Sequence, residues 1–244
     1  MSSLLRTEGL TKHFAGLVAN ESIDFELDTG SIQCVIGPNG AGKTTFISMI
    51  SGHLEPDEGR VIYKDRDITN LNIVKRARIG IARKFQTPTV FDELTAYENI
   101  ELAVLGTDCP RKERQKRIIE VLKLIHLTEE SNKPVKFLSH GQRQWLEIGL
   151  LLAVKAELLL LDEPTAGMTV EETVSTANLI KNLTQEFQLS VIIIEHDINF
   201  IRDLNAPVTV LHLGRVLMEG TFDQVSANEQ VREIYLGHGS AHIK

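Results

Sequence analysis

Apolar and polar positions change rhythm along the chain, and each rhythm predicts an element. In SIDFELD (22–28), Ile23, Phe25 and Leu27 alternate with polar residues, the period of a strand with one buried face. Three other stretches do not alternate. SIQCVIG (31–37), AELLLLDEP (156–164) and SVIIIEHD (190–197) are apolar runs that fit strands covered on both faces in a mostly parallel sheet. The first leads into GPNGAGKTTFISMISG, which reads as a glycine loop and then a helix. The other two end on Asp162 and Glu163 and on Glu195, His196 and Asp197. Glu171 to Phe187 has a helical period, and VTVLHLGRVLMEG (208–220) predicts a hairpin turning at Gly214-Arg215. The pattern is that of an α/β layer structure whose polar residues gather at strand C-termini, where such sheets bind ligands.

The middle of the chain, roughly Ile68 to Pro134, reads as helical and without buried strands. TAYENIELAVLG and RKERQKRIIEVLKLIHL both have the helical period, and the second places Ile118, Ile119, Leu122 and Ile125 on one face. Its basic start reads as a solvated helix face. We expect a helical subdomain inserted into the sheet layer, followed by the polar linker TEESNKPVKF.

Composition narrows the function classes. The 244 residues suffice for one α/β domain or two small subdomains sharing a core. With 42% hydrophobic and 24% charged residues the chain resembles an ordinary soluble protein, and a net charge of −7 argues against a general nucleic-acid binder. Cys34 and Cys109 have neither zinc-site spacing nor a disulfide framework, which suggests a reducing compartment. No apolar stretch follows the basic residue of MSSLLRTEGLTKHF, so no signal peptide is expected. The most apolar region, LEIGLLLAVKAELLLLDEP, is broken by Lys155 and Glu157, short of the roughly 18 apolar residues a membrane span needs.

The chemistry concentrates in Gly37-Pro38-Asn39-Gly40-Ala41-Gly42-Lys43-Thr44, which fits the phosphate-binding pattern G-x-x-x-x-G-K-[ST] between a strand and a helix. Glycines there let backbone N–H groups converge on phosphate oxygens. Lys43 brings positive charge to the β and γ phosphates, the Thr44 hydroxyl suits Mg²⁺, and Thr45 adds a donor at the helix N-terminus. Asp162 and Glu163 at a strand end suit a metal-facing carboxylate and a general base, although such a pair alone is often a turn or a cap. His196 ends another strand and could reach the γ-phosphate, or be structural.

The phosphate loop, Gln86 in RKFQTPTVF, LSHGQ, LLLLDEPTAG and EHD stand in the order seen in ATP-binding cassette (ABC) ATPases, and the resemblance covers nearly the whole chain. RKFQTPTVFDELTAYENIELA, LSHGQRQWLEIG, DEPTAGMT and VREIYLG look like the branched-chain amino acid and urea uptake group. His140 and the Gly-Met-Thr after DEPTA most resemble its urea-transporter subunit.

The resemblance implies a P-loop fold with a mostly parallel core sheet, an N-terminal antiparallel β subdomain and an inserted α-helical subdomain. The core with its β subdomain would span 1–87 and 155–244, and the helical part about 88–154. It implies an ATPase using ATP and Mg²⁺ that powers a membrane importer for urea or a related amide. The alternatives are branched-chain amino acid uptake, a lipid exporter, and a soluble ABC ATPase outside transport. Phe14 would stack on adenine, though it could equally be a packing residue. Gln86 would touch Mg²⁺ or the attacking water and report nucleotide state.

Two chains would assemble head to tail, as a homodimer or with a paralogue. Ser139, Gly141 and Gln142 of one chain would then face the phosphate loop of the other. Transmembrane permease subunits and, indirectly, a periplasmic solute-binding protein would be partners, and nucleic acid would not. The subunit would sit on the cytoplasmic face of the membrane. Two departures stand out. His140 occupies a position where a second glycine looks more natural, and either projects away from the nucleotide or donates to it. Thr169 replaces the aspartate that most relatives carry at the dimer seam.

Overall fold

A computed structural model of the chain describes residues 3–84 and 89–236, and Gln86 lies outside them. Two long strands open the chain, β1 (Ser3–Phe14) and β2 (Leu17–Asp28), followed by β3 (Ile32–Ile36) and α1 (Lys43–Ser51). Next come β4 (Glu58–Tyr63), β5 (Arg66–Asp67), α2 (Ile73–Arg78) and β6 (Ile81–Lys84). Three helices follow: α3 (Ala96–Leu105), α4 (Arg111–Leu124) and α5 (His140–Ala153). The chain returns through β7 (Leu158–Asp162), α6 (Val170–Phe187), β8 (Ser190–Ile194), α7 (Ile198–Leu204) and β9 (Val208–His212). It closes with β10 (Arg215–Gly220), α8 (Phe222–Ala227) and α9 (Glu229–Leu236).

Two sheets result. One is antiparallel, in the order β2-β1-β4-β5. The other has six strands in the order β10-β9-β3-β8-β7-β6, all parallel except the β10 edge, which pairs antiparallel with β9. The expected mostly parallel core, the N-terminal antiparallel sheet and the hairpin at Gly214 are all present. The apolar runs are buried on both faces because successive side chains point to opposite sides of a strand. Leu159, Leu161, Val191 and Ile193 pack with α3 to α7 on one side. Leu158, Leu160, Ile192 and Ile194 pack on the other against α1 and the antiparallel sheet.

Two expectations about the middle fail. The stretch from Ile68 to Pro134 does contain a buried strand, β6, which pairs with β7 at the sheet edge. Its four residues, Ile-Ala-Arg-Lys, form no apolar run because Arg83 and Lys84 are satisfied by buried partners. Arg83 pairs with Asp162 at 3.2 Å, and Lys84 with Glu147 of α5 at 3.1 Å. On α4, Ile118, Leu122 and Ile125 are buried as expected, but Ile119 is half exposed and Val121 fills its place in the core. At 100° per residue, the stripe reached from Ile118 by steps of three and four includes Val121 and leaves Ile119 outside. The basic start of α4 is mostly solvent-facing.

Helix α1 ends on a feature with no sequence signature. The Arg76 side chain, fully buried, donates to Met49 O (2.6 Å), Ile50 O (2.7 Å), Leu71 O (2.8 Å) and Thr69 O (2.7 Å). Met49 O and Ile50 O are last-turn carbonyls of α1; Met49 O also accepts from the Gly52 N–H at 3.3 Å, and for Ile50 O the guanidinium supplies the donor that the helix does not. Burial pulls the guanidinium pKa down to about 10. No helix among the described residues is long and apolar enough to cross a membrane.

Candidate functional site

The loop from Gly37 to Gly42 leaves the C-terminal end of β3 and turns into α1. Gly42, the residue before the helix, has φ +98, and a Cβ there would press into the Ala19 carbonyl and the Asn20 amide. Only glycine fits both constraints. Lys43 folds back over the loop, donating from Nζ to Gly37 O at 2.7 Å and Pro38 O at 3.1 Å. Burial lowers its pKa, while the nearby Glu163 and Asp162 carboxylates raise it. An ammonium resting on two carbonyls at the mouth of an anion-binding loop can exchange them for phosphate oxygens without further desolvation.

The loop floors an open cleft of about 530 Å³, within the usual range for a small-molecule site. Phe14, Leu17, Val18 and Leu213 form its apolar rim, Asn39 to Thr45 its floor, and Glu163 and His196 its far wall. Phe14 remains 43% exposed, so its ring is available to a planar ligand. Another concavity, lined by Glu21, Asp24, Arg215 and Glu219, has its one arginine paired to Glu21 and excess negative charge, which disfavours a polyphosphate.

Asp162 and Glu163 are held differently. Asp162 is buried: its Oδ2 accepts from Arg83, while its Oδ1 has no hydrogen-bond partner among the described residues. Glu163 adopts φ +50, an uncommon conformation for a non-glycine residue, and its carboxylate lies 3.3 Å from His196 Nε2. Backbone strain of this kind costs on the order of 1 kcal/mol and persists only where surroundings enforce it. They do so through the Glu163 N–H, which donates to Ile194 O at 2.9 Å, and through Glu195. The buried Glu195 carboxylate accepts from the Thr165 hydroxyl, from Thr165 N at 3.1 Å and from His196 N at 2.7 Å. It ties the turn after Glu163 to the segment bearing His196, so the two side chains face each other.

Ser139, Gly141 and Gln142 do not line this cleft. Ser139 caps α5, and its hydroxyl accepts from Gln142 N at 3.1 Å while the Gln142 side chain returns to Ser139 N at 3.0 Å. The Gln142 side chain thus braces the turn. His140 is helical rather than left-handed, so glycine is not required there. Its Nε2 lies 2.7 Å from Ala166 O, in the loop after Glu163. Thr169 caps α6 in a capping box with Glu172.

Sequence reasoning missed Arg83, the role of Glu195 and the apolar rim at Leu17, Val18 and Leu213. It also missed Glu172, whose carboxylate reaches the Ser139 hydroxyl at 2.9 Å and Gly141 N at 3.1 Å. The Thr-x-x-Glu spacing signals a cap, but the contact across 33 residues leaves no local trace.

A glycine loop between a parallel strand and a helix, with acidic residues on the neighbouring strand ends, defines a P-loop nucleotide-binding protein. Comparisons sharpen this. The family model described as ABC transporter matches residues 20–166, and that for a branched-chain amino acid ATP-binding cassette transporter matches residues 215–241.

The chain is 33% identical to the high-affinity branched-chain amino acid transport ATP-binding protein BraF of Pseudomonas aeruginosa, over 96% of this chain and 98% of that protein. It is 34% identical to the lipopolysaccharide export system ATP-binding protein LptB of Acidithiobacillus ferridurans, over 97% and 98%. The structure of the ADP conformation of MJ1267, an ATP-binding cassette of an ABC transporter, superimposes with a TM-score of 0.88 at 28% identity, over 97% of this chain and all of that one. A dimeric post-hydrolysis structure of the cassette MJ0796 bound to ADP and Pi superimposes with a TM-score of 0.77 at 27% identity, over 90% and 99%. The chain belongs to the ABC transporter family and is an ATP-hydrolysing subunit of its branched-chain amino acid group.

Proposed function

We propose that this subunit hydrolyses ATP between two cassettes to drive uptake of branched-chain amino acids. The observation that carries the reading is the split arrangement: Glu163 and His196 face the phosphate loop, while Ser139 and Gly141 point elsewhere. A site so divided is completed by a second chain with its own Ser139 and Gly141, and two-fold symmetry makes both sites equivalent in a homodimer.

In each site Phe14 stacks on the base, and the N–H groups from Asn39 to Thr45 wrap the triphosphate. Lys43 gives up its carbonyl partners for the β and γ phosphates. The orphaned Asp162 oxygen and the exposed Thr44 hydroxyl suit Mg²⁺ and its waters, and the metal when bound neutralises charge on the β and γ oxygens. Glu163 accepts the proton of the attacking water, and His196 steadies that carboxylate and donates toward the γ-phosphate. Gln86 is assigned to Mg²⁺ and the attacking water on its place in the motif order alone. The helical part, about 88–154, meets transmembrane permease subunits at the cytoplasmic face of the membrane, with a periplasmic binding protein delivering the ligand.

Overall identity does not choose the cargo, since it is 33% for the amino-acid system and 34% for the lipopolysaccharide system. The C-terminal match at 215–241 favours branched-chain amino acids. Urea, the first expectation from His140 and the Gly-Met-Thr segment, draws no specific support from these relatives.

Phosphate release by the subunit assembled with its permeases and binding protein tests both halves. Glu163→Gln is expected to slow release about 10²–10⁴-fold while leaving ATP binding intact, and leucine rather than urea is expected to stimulate the wild type. Full hydrolysis by the variant removes Glu163 from its role, and stimulation by urea alone overturns the cargo.

A further inference from the structure

The donors that the proposed dimer would offer to the partner's nucleotide are already engaged within the single chain. Glu172 sits one turn into α6 and divides its carboxylate between two loops. Oε1 accepts from the Ser139 hydroxyl at 2.9 Å and from Gly141 N at 3.1 Å. Oε2 accepts from Thr169 N at 3.0 Å and from the Thr169 hydroxyl at 3.2 Å. A Cβ on Gly141 would lie 2.6 Å from Glu172 Oε1 and 2.9 Å from its Cγ, so glycine at this position makes room for the carboxylate. Through Thr169, the position where the seam aspartate is missing, the same side chain joins the α5 tip to the α6 cap, and His140 on Ala166 makes a second stitch beside it. These hydrogen bonds hold the Glu172 pKa below the ordinary carboxylate value, Thr169 N contributing most and Ser139 next.

The geometry points to Glu172 as an intramolecular stand-in for the γ-phosphate, a positioning residue that keeps the Ser139 and Gly141 donors aligned in the open subunit and must yield them when the dimer closes on ATP. Two anions cannot share that donor pair, because a carboxylate and a phosphate at hydrogen-bond distance from the same N–H and O–H repel each other. The ATP concentration needed for closure is therefore set partly by how firmly Glu172 is held. This inference rests on the shared-site reading of the proposed function.

Glu172→Gln separates the charge from the cap. Glutamine serves equally at the third position of a capping box, but a neutral acceptor bonds about half as strongly and does not repel phosphate. The test uses the Glu163→Gln background, in which bound ATP persists, and follows dimer formation against ATP·Mg²⁺ by sedimentation velocity. Adding Glu172→Gln is expected to lower the ATP concentration for half-maximal dimer roughly tenfold, with a melting temperature lowered less than by Glu172→Ala. Glu172→Ala, which also removes half the cap, is expected to lower the threshold at least as far while melting earlier. A purely structural cap cannot produce that opposite movement. A threshold that stays put or rises in both variants overturns the inference. If Glu163→Gln alone never dimerises with ATP, the shared site itself is wrong, and that outcome is read before either Glu172 variant.

Discussion

Replacing Arg76 by methionine keeps most of the side-chain volume and removes the fork that closes the C-terminus of α1. Four carbonyls lose a charged donor in a fully buried position, and two of them, on Met49 and Ile50, belong to the last turn of α1. Met49 O keeps the Gly52 N–H, but Ile50 O is left without a donor, and a buried acceptor left unsatisfied costs about 1–3 kcal/mol. A cation lost from a partly buried helix C-terminus adds up to about 2 kcal/mol. Against this stands the desolvation of the guanidinium, visible in its pKa of about 10, which the mutation relieves. The net expectation is a loss of about 2–4 kcal/mol, a large share of the roughly 5–15 kcal/mol that separates folded from unfolded states. Urea unfolding followed by circular dichroism should show a lower midpoint with an unchanged slope. Arg76→Lys should lose about half as much, since a compact ammonium cannot span four carbonyls. A loss below about 1 kcal/mol for Arg76→Met would mean that water or a shifted backbone satisfies those carbonyls, and would refute the assignment. Because the other end of α1 is the phosphate loop, weaker nucleotide binding should accompany the loss.

Two further predictions concern buried charge. Lys84→Met leaves the Glu147 carboxyl group without its partner in the core and should cost about 3–5 kcal/mol in the same unfolding assay, whereas pairing it with Glu147→Leu should restore most of that; equal losses in the single and double variants would count against the pair. Burial first, and the Glu195 charge second, push the Cys34 thiol from its usual 9.0 up to about 12. A raised pKa means that the folded state keeps a proton the unfolded state releases, so its contribution is complete below about pH 9 and is lost as the pH climbs toward 12. Stability measured from pH 8 to 11 should fall by up to about 1.4 kcal/mol per unit, and Cys34→Ala should flatten that slope; an unchanged slope would assign the loss to other groups, including the raised Tyr63 hydroxyl.

Much of this protein is legible in one dimension. The glycine loop could be read because its geometry depends on local backbone freedom and a fixed spacing to Lys43 and Thr44. The three apolar runs announced strands buried on both faces, because side-chain burial follows the two-residue period of the backbone. Asp162 and Glu163 could be located for the same reason: a buried strand delivers its last residues to the sheet edge.

What could not be read are the elements whose stability comes from partners far along the chain. Strand β6 was invisible because its Arg83 and Lys84 break the apolar pattern and are neutralised by Asp162 and Glu147. Arg76 looks like any basic residue of a short helix until folding places it beneath α1. Glu172 reads as a local cap, and only the packing of α5 against α6 brings its second oxygen to Ser139 and Gly141. A buried charge or an occupied donor is a property of its surroundings, and only the folded chain assembles those surroundings.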